Sequence, residues 1–124
     1  MKFNTGFYEF SPDAGMNFQL NRFYSTGVLE KEELTEIGRK ASDFAAWIRL
    51  FTEAGKEAEE QGDHLKAAFC YRAAQFYTLS NAKDAQGNSL KKTLYEKCME
   101  HFDAYYADSD SIHYERIPFQ NGYL

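Results

Sequence analysis

The fold is decided by the stretch Gly62-Asp63-His64-Leu65-Lys66-Ala67-Ala68-Phe69-Cys70-Tyr71-Arg72-Ala73-Ala74. Gly62 tolerates the left-handed conformation that ends a helix, and Asp63 can cap the next helix through its carboxylate. Small side chains, which let a second helix approach closely, then recur among aromatic rings that fill the remaining space: Ala67, Ala68, Phe69, Cys70, Tyr71, Ala73 and Ala74. The stretch predicts two tightly packed antiparallel helices joined at Gly62.

The composition favours a helical domain. Aromatic residues make up 17% of the 124 residues and hydrophobic residues 44%, which argues against disorder and suffices for one core. The chain has only two prolines, and long stretches are rich in Ala, Glu, Lys and Leu, which favour helices. We therefore predict one small all-α domain of about five helices.

The charge and the apolar runs bear on partners and location. The net charge is −5 and the sequence shows no basic stripe, so a nucleic-acid partner is not expected. No apolar run approaches the roughly 20 residues of a membrane span, and none follows Met1 as in a signal peptide. We expect a cytoplasmic protein with no membrane partner.

The residue types that ligate metals are scattered along the chain. Cys70 and Cys98 lie inside helical patterns without CxxC spacing, so we expect two buried small hydrophobes; a disulfide between neighbouring helices would need an oxidising compartment. His64 is expected in solvent, His101 partly buried and hydrogen-bonded, and His113 on the surface. We predict no metal ligand, no cofactor and no catalytic residue in this chain.

Caps and apolar periodicity predict where the helices begin and end. Ser11 and Ser42 are the expected N-caps of the first and third helices, and Asn88 or Ser89 that of the fifth. The approximate predicted limits are 12–26, 30–40, 43–61, 64–81 and 89–106. The apolar face predicted for the third helix consists of Phe44, Trp47, Ile48, Phe51, Gly55 and Ala58.

The two ends of the chain differ from the helical middle. Residues 2–10 predict an extended arm whose aromatic rings dock on the helices. The helical domain then covers residues 1–107, and residues 108–111 form a polar linker. Residues 112–119 alternate apolar and polar side chains, and Asn121-Gly122 is a strong hairpin signal. We expect residues 112–124 to be the first strand and hairpin of a missing downstream α/β domain, in a longer polypeptide.

The helical pair around Gly62 resembles one tetratricopeptide-type motif. Ala54 and Gly55 stand where that motif has its Leu-Gly pair, whereas Ala58 departs from the large aromatic residue preferred there. Further matches lie in the turn and the second helix: Gly62, Asp63, Ala67, Tyr71 and Ala74. No second copy follows at the expected period, so a repeat array is not predicted.

A longer resemblance takes in nearly the whole chain. Its marks, in order, are Gln19-Leu20, an acidic second helix, Trp47, the run from Tyr71 to Tyr77, a helix from Tyr95 to Phe102, Glu115-Arg116-Ile117-Pro118-Phe119 and Gly122-Tyr123-Leu124. This order resembles the helical N-terminal domain of bacterial α/β-hydrolases such as the FrsA-like esterases and the dihydropseudooxynicotine-hydrolase type.

The resemblance implies that the helices cap the active site of a serine hydrolase whose α/β catalytic domain follows in the same polypeptide. The G-x-S-x-G nucleophile elbow of such a domain is absent from this sequence. No catalytic residue of the family can therefore be assigned to any position here. The chain alone is not expected to be an enzyme.

The remaining functional candidates are aromatic. These residues are expected either in the core or as an exposed patch that lines a substrate pocket or docks a partner: Phe7, Tyr8, Phe10, Trp47, Phe69, Tyr77 and Tyr105. Without a catalytic domain such a patch favours a homodimer. The alternative function is a stand-alone helical protein–protein interaction module of tetratricopeptide-like type.

Overall fold

The computed structural model describes residues 6–107, and these form five α-helices. The helices are α1 (Ala14–Ser25), α2 (Lys31–Lys40), α3 (Phe44–Glu60), α4 (His64–Phe76) and α5 (Leu90–Ala107). Apart from one isolated bridge between Lys83 and Ser89, this range contains no strand, so the predicted all-α class is confirmed. No helix within it has the length and apolar character needed to cross a bilayer. The predicted linker and the predicted hairpin at 112–124 lie outside the described residues.

Three aspartates begin helices in the same way. The carboxylates of Asp13, Asp43 and Asp63 accept backbone N–H groups three residues ahead, at 2.8, 2.8 and 3.2 Å. Asp63 was predicted, but the caps predicted at Ser11 and Ser42 are wrong. Both serines stand close to an aspartate that is an equally good cap, and the Ser11 hydroxyl instead accepts the N–H of Asp13.

The turn between α3 and α4 is a complete Schellman motif. Gly62 has a φ of +75°, and its N–H donates to the carbonyl of Glu59 at 3.0 Å. The N–H of Asp63 donates to the carbonyl of Ala58 at 2.9 Å, which satisfies the last turn of α3. The two helices then pack antiparallel along their lengths. Their likeness to a tetratricopeptide pair stays a prediction.

Helix α4 ends at Phe76, five residues before the predicted limit. The Thr78 hydroxyl donates to the carbonyl of Ala74 at 2.8 Å, while the Thr78 N–H donates to Gln75. The Thr78 side chain thus occupies the Ala74 carbonyl, to which the Thr78 N–H would donate if the helix continued. Helix propensity alone does not reveal this competition. After the loop, Ser89 caps α5 by accepting the N–H of Lys92 at 3.3 Å.

Small residues and two large aromatic side chains build the core between α3, α4 and α5. The indole N–H of Trp47 donates to the carbonyl of Ala73 at 2.8 Å, and the ring is fully buried. Gly55 lies against the ring of Tyr71, and a Cβ atom added at Gly55 would lie 2.9 Å from a ring carbon. Cys70 and Cys98 are buried and free, as predicted for small hydrophobes. Burial raises the pKa of Cys70 to about 12 and that of Cys98 to about 11.

The extended segment before α1 is held by two side-chain amides. The Asn21 amide pairs with both the N–H and the carbonyl of Tyr8, each at 2.8 Å. The Asn17 oxygen accepts the N–H groups of Phe10 and Ser11 at 2.7 and 3.1 Å. A side chain that offers both a donor and an acceptor can replace a neighbouring strand, so the arm is paired without a sheet.

Candidate functional site

A chain of aromatic contacts leads from the core to the last turn of α5. We call the five partly buried rings of this chain the aromatic ladder: Phe23, Phe69, Phe102, Tyr105 and Tyr106. Its inner end touches the fully buried Phe51, whose ring centroid lies 6.2 Å from that of Phe23. The next centroids are 6.4 Å apart from Phe23 to Phe69 and 5.4 Å apart from Phe69 to Phe102.

The outer rings of the aromatic ladder lie on one face of α5. Phe102 and Tyr106 are four residues apart and their rings are parallel within 14°, at 6.3 Å. Tyr105 meets Tyr106 at 5.3 Å. Because α5 ends at Ala107, the chain leaves the described fold directly beside these rings. Any segment that continues from Ala107 therefore starts next to a partly exposed aromatic surface.

A second aromatic surface, the outer patch, lies where α3 begins and α4 ends. It consists of Phe44, Phe76 and Tyr77. The rings of Phe44 and Tyr77 stack at 4.3 Å, and Phe76 meets Tyr77 edge-on at 5.0 Å. Phe44 is 52% exposed and Phe76 is 47% exposed, so about half of this aromatic area faces solvent. Phe44 was predicted on the buried face of α3, but the first turn of that helix extends beyond the core.

The seven aromatic candidates fall into different environments. Phe10 and Trp47 are buried in the core of the described residues. Phe69 and Tyr105 belong to the aromatic ladder, and Tyr77 belongs to the outer patch. The remaining two lie on the arm.

On the arm, Tyr8 is half-buried and meets Tyr24 edge-on at 5.4 Å. The ammonium group of Lys31 lies 3.9 Å from the centre of the Tyr8 ring. Phe7 is 66% exposed. The aromatic arm therefore docks through Tyr8 and Phe10, whereas Phe7 points away from the core.

The sequence prediction did not single out Phe23 and Phe102 of the aromatic ladder, nor Phe44 and Phe76 of the outer patch. Phe23 and Phe102 belong to helical stripes that look like ordinary core positions. Phe44 and Phe76 stand at helix ends, where burial depends on which neighbouring helix reaches that far. Only the i, i+4 spacing of Phe102 and Tyr106 was a signal available in the sequence.

A polar cluster joins α3, α4 and α5 near the Gly62 turn; it consists of Glu59, His64, Tyr71, Lys97 and His101. Nε2 of His101 lies 2.7 Å from the Glu59 carboxylate, and the Lys97 ammonium lies 3.2 Å from the same carboxylate. Nδ1 of His101 lies 3.0 Å from Nδ1 of His64. The prediction for His101 is confirmed, whereas His64 is half-buried and paired rather than solvated.

The charges in the polar cluster follow from these contacts. Burial opposes ionisation of Glu59, but the hydrogen bonds from His101 and Lys97, together with the nearby Tyr71 hydroxyl, outweigh it and lower the pKa of the carboxyl group. Burial and the neighbouring Glu59 raise the pKa of Tyr71. The Tyr71 hydroxyl is buried beside Glu59 and has no well-aligned hydrogen bond to any described residue. Glu59 is therefore an ionised acceptor with donors on several sides.

No family model matches this chain, and no curated protein or solved structure matches it either.

Proposed function

We propose that this chain is the helical cap of an α/β-hydrolase of the carboxylic-ester type. In this proposal the helices cover the active site and shape the substrate pocket, and the catalytic serine belongs to an α/β domain that follows in the same polypeptide. The observation that carries the proposal is the aromatic ladder. It opens at the end of α5, where a following domain would begin.

Pocket walls in enzymes are mostly apolar and aromatic, and closing them excludes water from the reaction. The aromatic ladder has this character, because its rings are partly buried and its two outermost members carry hydroxyl groups. Its innermost ring, Phe23, packs on the buried Phe51 and on Phe69, so the aromatic ladder is continuous with the core. An aromatic wall suits substrates with an apolar acyl or alcohol part.

The sequence that follows Ala107 supports the same proposal. Residues 112–119 carry the alternation of a strand, and Asn121-Gly122 is a hairpin signal. The order of motifs from Gln19 to Leu124 resembles the hydrolase caps described above. Since the sequence has no nucleophile elbow, hydrolysis would depend on residues outside it.

The first test is the coding sequence beyond the codon for Leu124. The proposal expects the frame to continue through alternating strands and helices that include a Gly-x-Ser-x-Gly segment. An immediate stop codon would overturn it. The present chain alone should release no nitrophenol burst from p-nitrophenyl esters, and a stoichiometric burst would contradict the assignment of the chemistry to a following domain.

The second test uses the full-length enzyme and the outermost ring of the aromatic ladder. Tyr105→Ala should raise KM for long-chain p-nitrophenyl esters severalfold more than for the acetate, with kcat changed less, because it removes pocket wall and no reacting group. Phe18→Ala is the matched control, since Phe18 is 54% exposed on α1. Equal effects of the two variants on both substrates would contradict a wall at Tyr105.

A second candidate function is a stand-alone interaction module, and the outer patch favours it. Its exposed rings lie at the end of the bundle away from Ala107, where a following domain is not expected. The double variant Phe44→Ala, Phe76→Ala should then abolish partner capture or self-association measured by analytical ultracentrifugation. A complex or dimer that survives this double variant would count against the module. A cytoplasmic location fits both candidates and stays a proposal.

A further inference from the structure

The two histidines of the polar cluster are arranged like a pair of metal ligands. Their Nδ1 atoms lie 3.0 Å apart, and their rings lie face to face within 30° at a centroid distance of 5.2 Å. His64 begins α4, and His101 lies near the end of α5, so the pair joins the ends of two helices. The proposed cap function does not explain this contact between the two histidine rings.

The carboxylate of Glu59 determines which nitrogen of His101 is free. An ionised carboxylate only accepts hydrogen bonds, so Nε2 of His101, at 2.7 Å from it, must carry a proton. In the neutral ring the lone pair then sits on Nδ1, which faces Nδ1 of His64. A carboxylate behind a histidine is the usual device that orients this ring toward a metal ion.

The spacing of the two Nδ1 atoms is close to what a tetrahedral ion requires. With bonds of about 2.0–2.1 Å, two imidazole nitrogens on zinc lie about 3.3 Å apart. The observed 3.0 Å suits a hydrogen bond between the rings, and binding the ion requires the rings to turn so that both Nδ1 lone pairs converge on it. His64 is only half-buried, so the movement and the entry of an ion are open from the solvent side.

We propose that His64 and His101 bind a divalent transition-metal ion of the zinc type through their Nδ1 atoms, with Glu59 orienting His101 and water completing the coordination. Within residues 6–107 no group of three or more His, Cys, Asp or Glu side chains could hold a metal ion, so this part of the chain would supply the two histidines alone. Imidazole pairs favour Zn²⁺, Ni²⁺ and Cu²⁺ over Mg²⁺ and Ca²⁺.

The proton balance of binding is simple. Without metal, the hydrogen bond between the rings needs a proton on Nδ1 of His64, because Nδ1 of His101 is the acceptor. With metal, His64 must carry its proton on Nε2, so the neutral ring changes tautomer through solvent and no net proton is released. Lys97 remains paired with the same Glu59 carboxylate.

Isothermal titration with ZnCl2 in a non-chelating buffer tests the site on the full chain. We expect one ion per chain in the parent protein. A second-shell change typically weakens binding about 10–100-fold, so Glu59→Gln should lower the affinity within this range. His64→Ala and His101→Ala each remove a ligand and should lower it further. MgCl2 should give no binding.

Two controls keep the test decisive. His113→Ala changes the one histidine outside the described residues and should leave zinc affinity unchanged. Circular dichroism melting identifies variants that fail to fold. If His101→Ala fails to fold, the zinc affinities of His64→Ala, at a half-buried position, and of Glu59→Gln decide the question. The proposal is overturned by an absence of zinc binding in the parent, by full affinity in His64→Ala, or by loss of binding in His113→Ala.

Discussion

The molecule contains two regions that are held together by different means. Helix α4 packs extensively on both α3 and α5, with alanines, glycine and cysteines at the contacts. Helices α1 and α2 pack on their neighbouring helices much less. There, the side-chain amides of Asn17 and Asn21 hold the backbone of the arm in place.

Because of this difference, we expect the two regions to respond differently to substitutions. Close packing spreads the effect of one large substitution over three helices, because a buried ring has no free space to move into. An arm held by hydrogen bonds can detach as a unit and leave the helices folded. Variants at matched positions in the two regions can test whether this contrast is real.

The largest effect is expected for Trp47→Ala. The indole ring is fully buried and lies 4.8 Å from the ring of Phe51, and its N–H satisfies the carbonyl of Ala73. Losing a buried Trp costs about 3–5 kcal/mol in the free energy of unfolding. The free energy of unfolding is measured by urea unfolding followed by circular dichroism. Fluorescence cannot be used, because Trp47 is the only tryptophan and the variant lacks it. A loss below 1 kcal/mol would mean that α3 and α4 are loosely packed.

Gly55→Ala should come next, with a loss of about 2–3 kcal/mol. The new Cβ would lie 2.9 Å from the buried ring of Tyr71, so the α3–α4 contact must open. Gly15→Ala is the matched control, because its Cβ meets only ordinary contacts of 3.4 Å or more. That control should be neutral or slightly stabilising, since Ala favours a helix over Gly by up to about 1 kcal/mol. Equal melting temperatures for the two variants would contradict the close approach.

Gly38→Ala should have a local effect on the arm, with a loss of about 1–3 kcal/mol. Its Cβ would fall 1.9 Å from the carbonyl oxygen of Phe10, so the arm must move away from α2. Hydrogen exchange should then show faster exchange at Tyr8, Phe10 and Ser11, whose N–H groups lose their amide partners. Protection in α3, α4 and α5 should be retained, and a global loss of protection would show that the two regions fold as one unit.

Asp84→Ala should have the smallest effect and a distinct pH dependence. Hydrogen bonds from Asn88, Thr93 and Gln86 lower the pKa of Asp84 below its ordinary 3.8. A lowered pKa means that the carboxylate stabilises the folded chain above pH 3.8 and loses this contribution as the pH falls through the folded value. The stability difference between variant and parent should therefore be constant near neutral pH and vanish in acid. A difference that persists in acid would show that the loop does not depend on this charge.

Much of the helical layout was predictable because its signals are local. Gly62 and Asp63 specify a helix end and a helix start within two residues, and the periodic stripe around Trp47 indicates which face of α3 is buried. The errors at Ser11 and Ser42 arose where two good caps stand close together. The early end of α4 was missed because the Thr78 hydroxyl competes for a carbonyl, which no periodicity shows.

Caps and apolar spacing act over a few residues, so the all-α class, the hairpin at Gly62 and the burial of Trp47 and Cys98 follow from local signals in the chain. The meeting of Phe23, Phe69 and Phe102 in one aromatic ladder depends on the packing of α1, α4 and α5, from which these residues come. This packing likewise brings His64 to His101 across 37 positions. Contacts between helices depend on how far each helix extends and how closely small residues let its neighbours approach, and neither quantity is written in a local pattern.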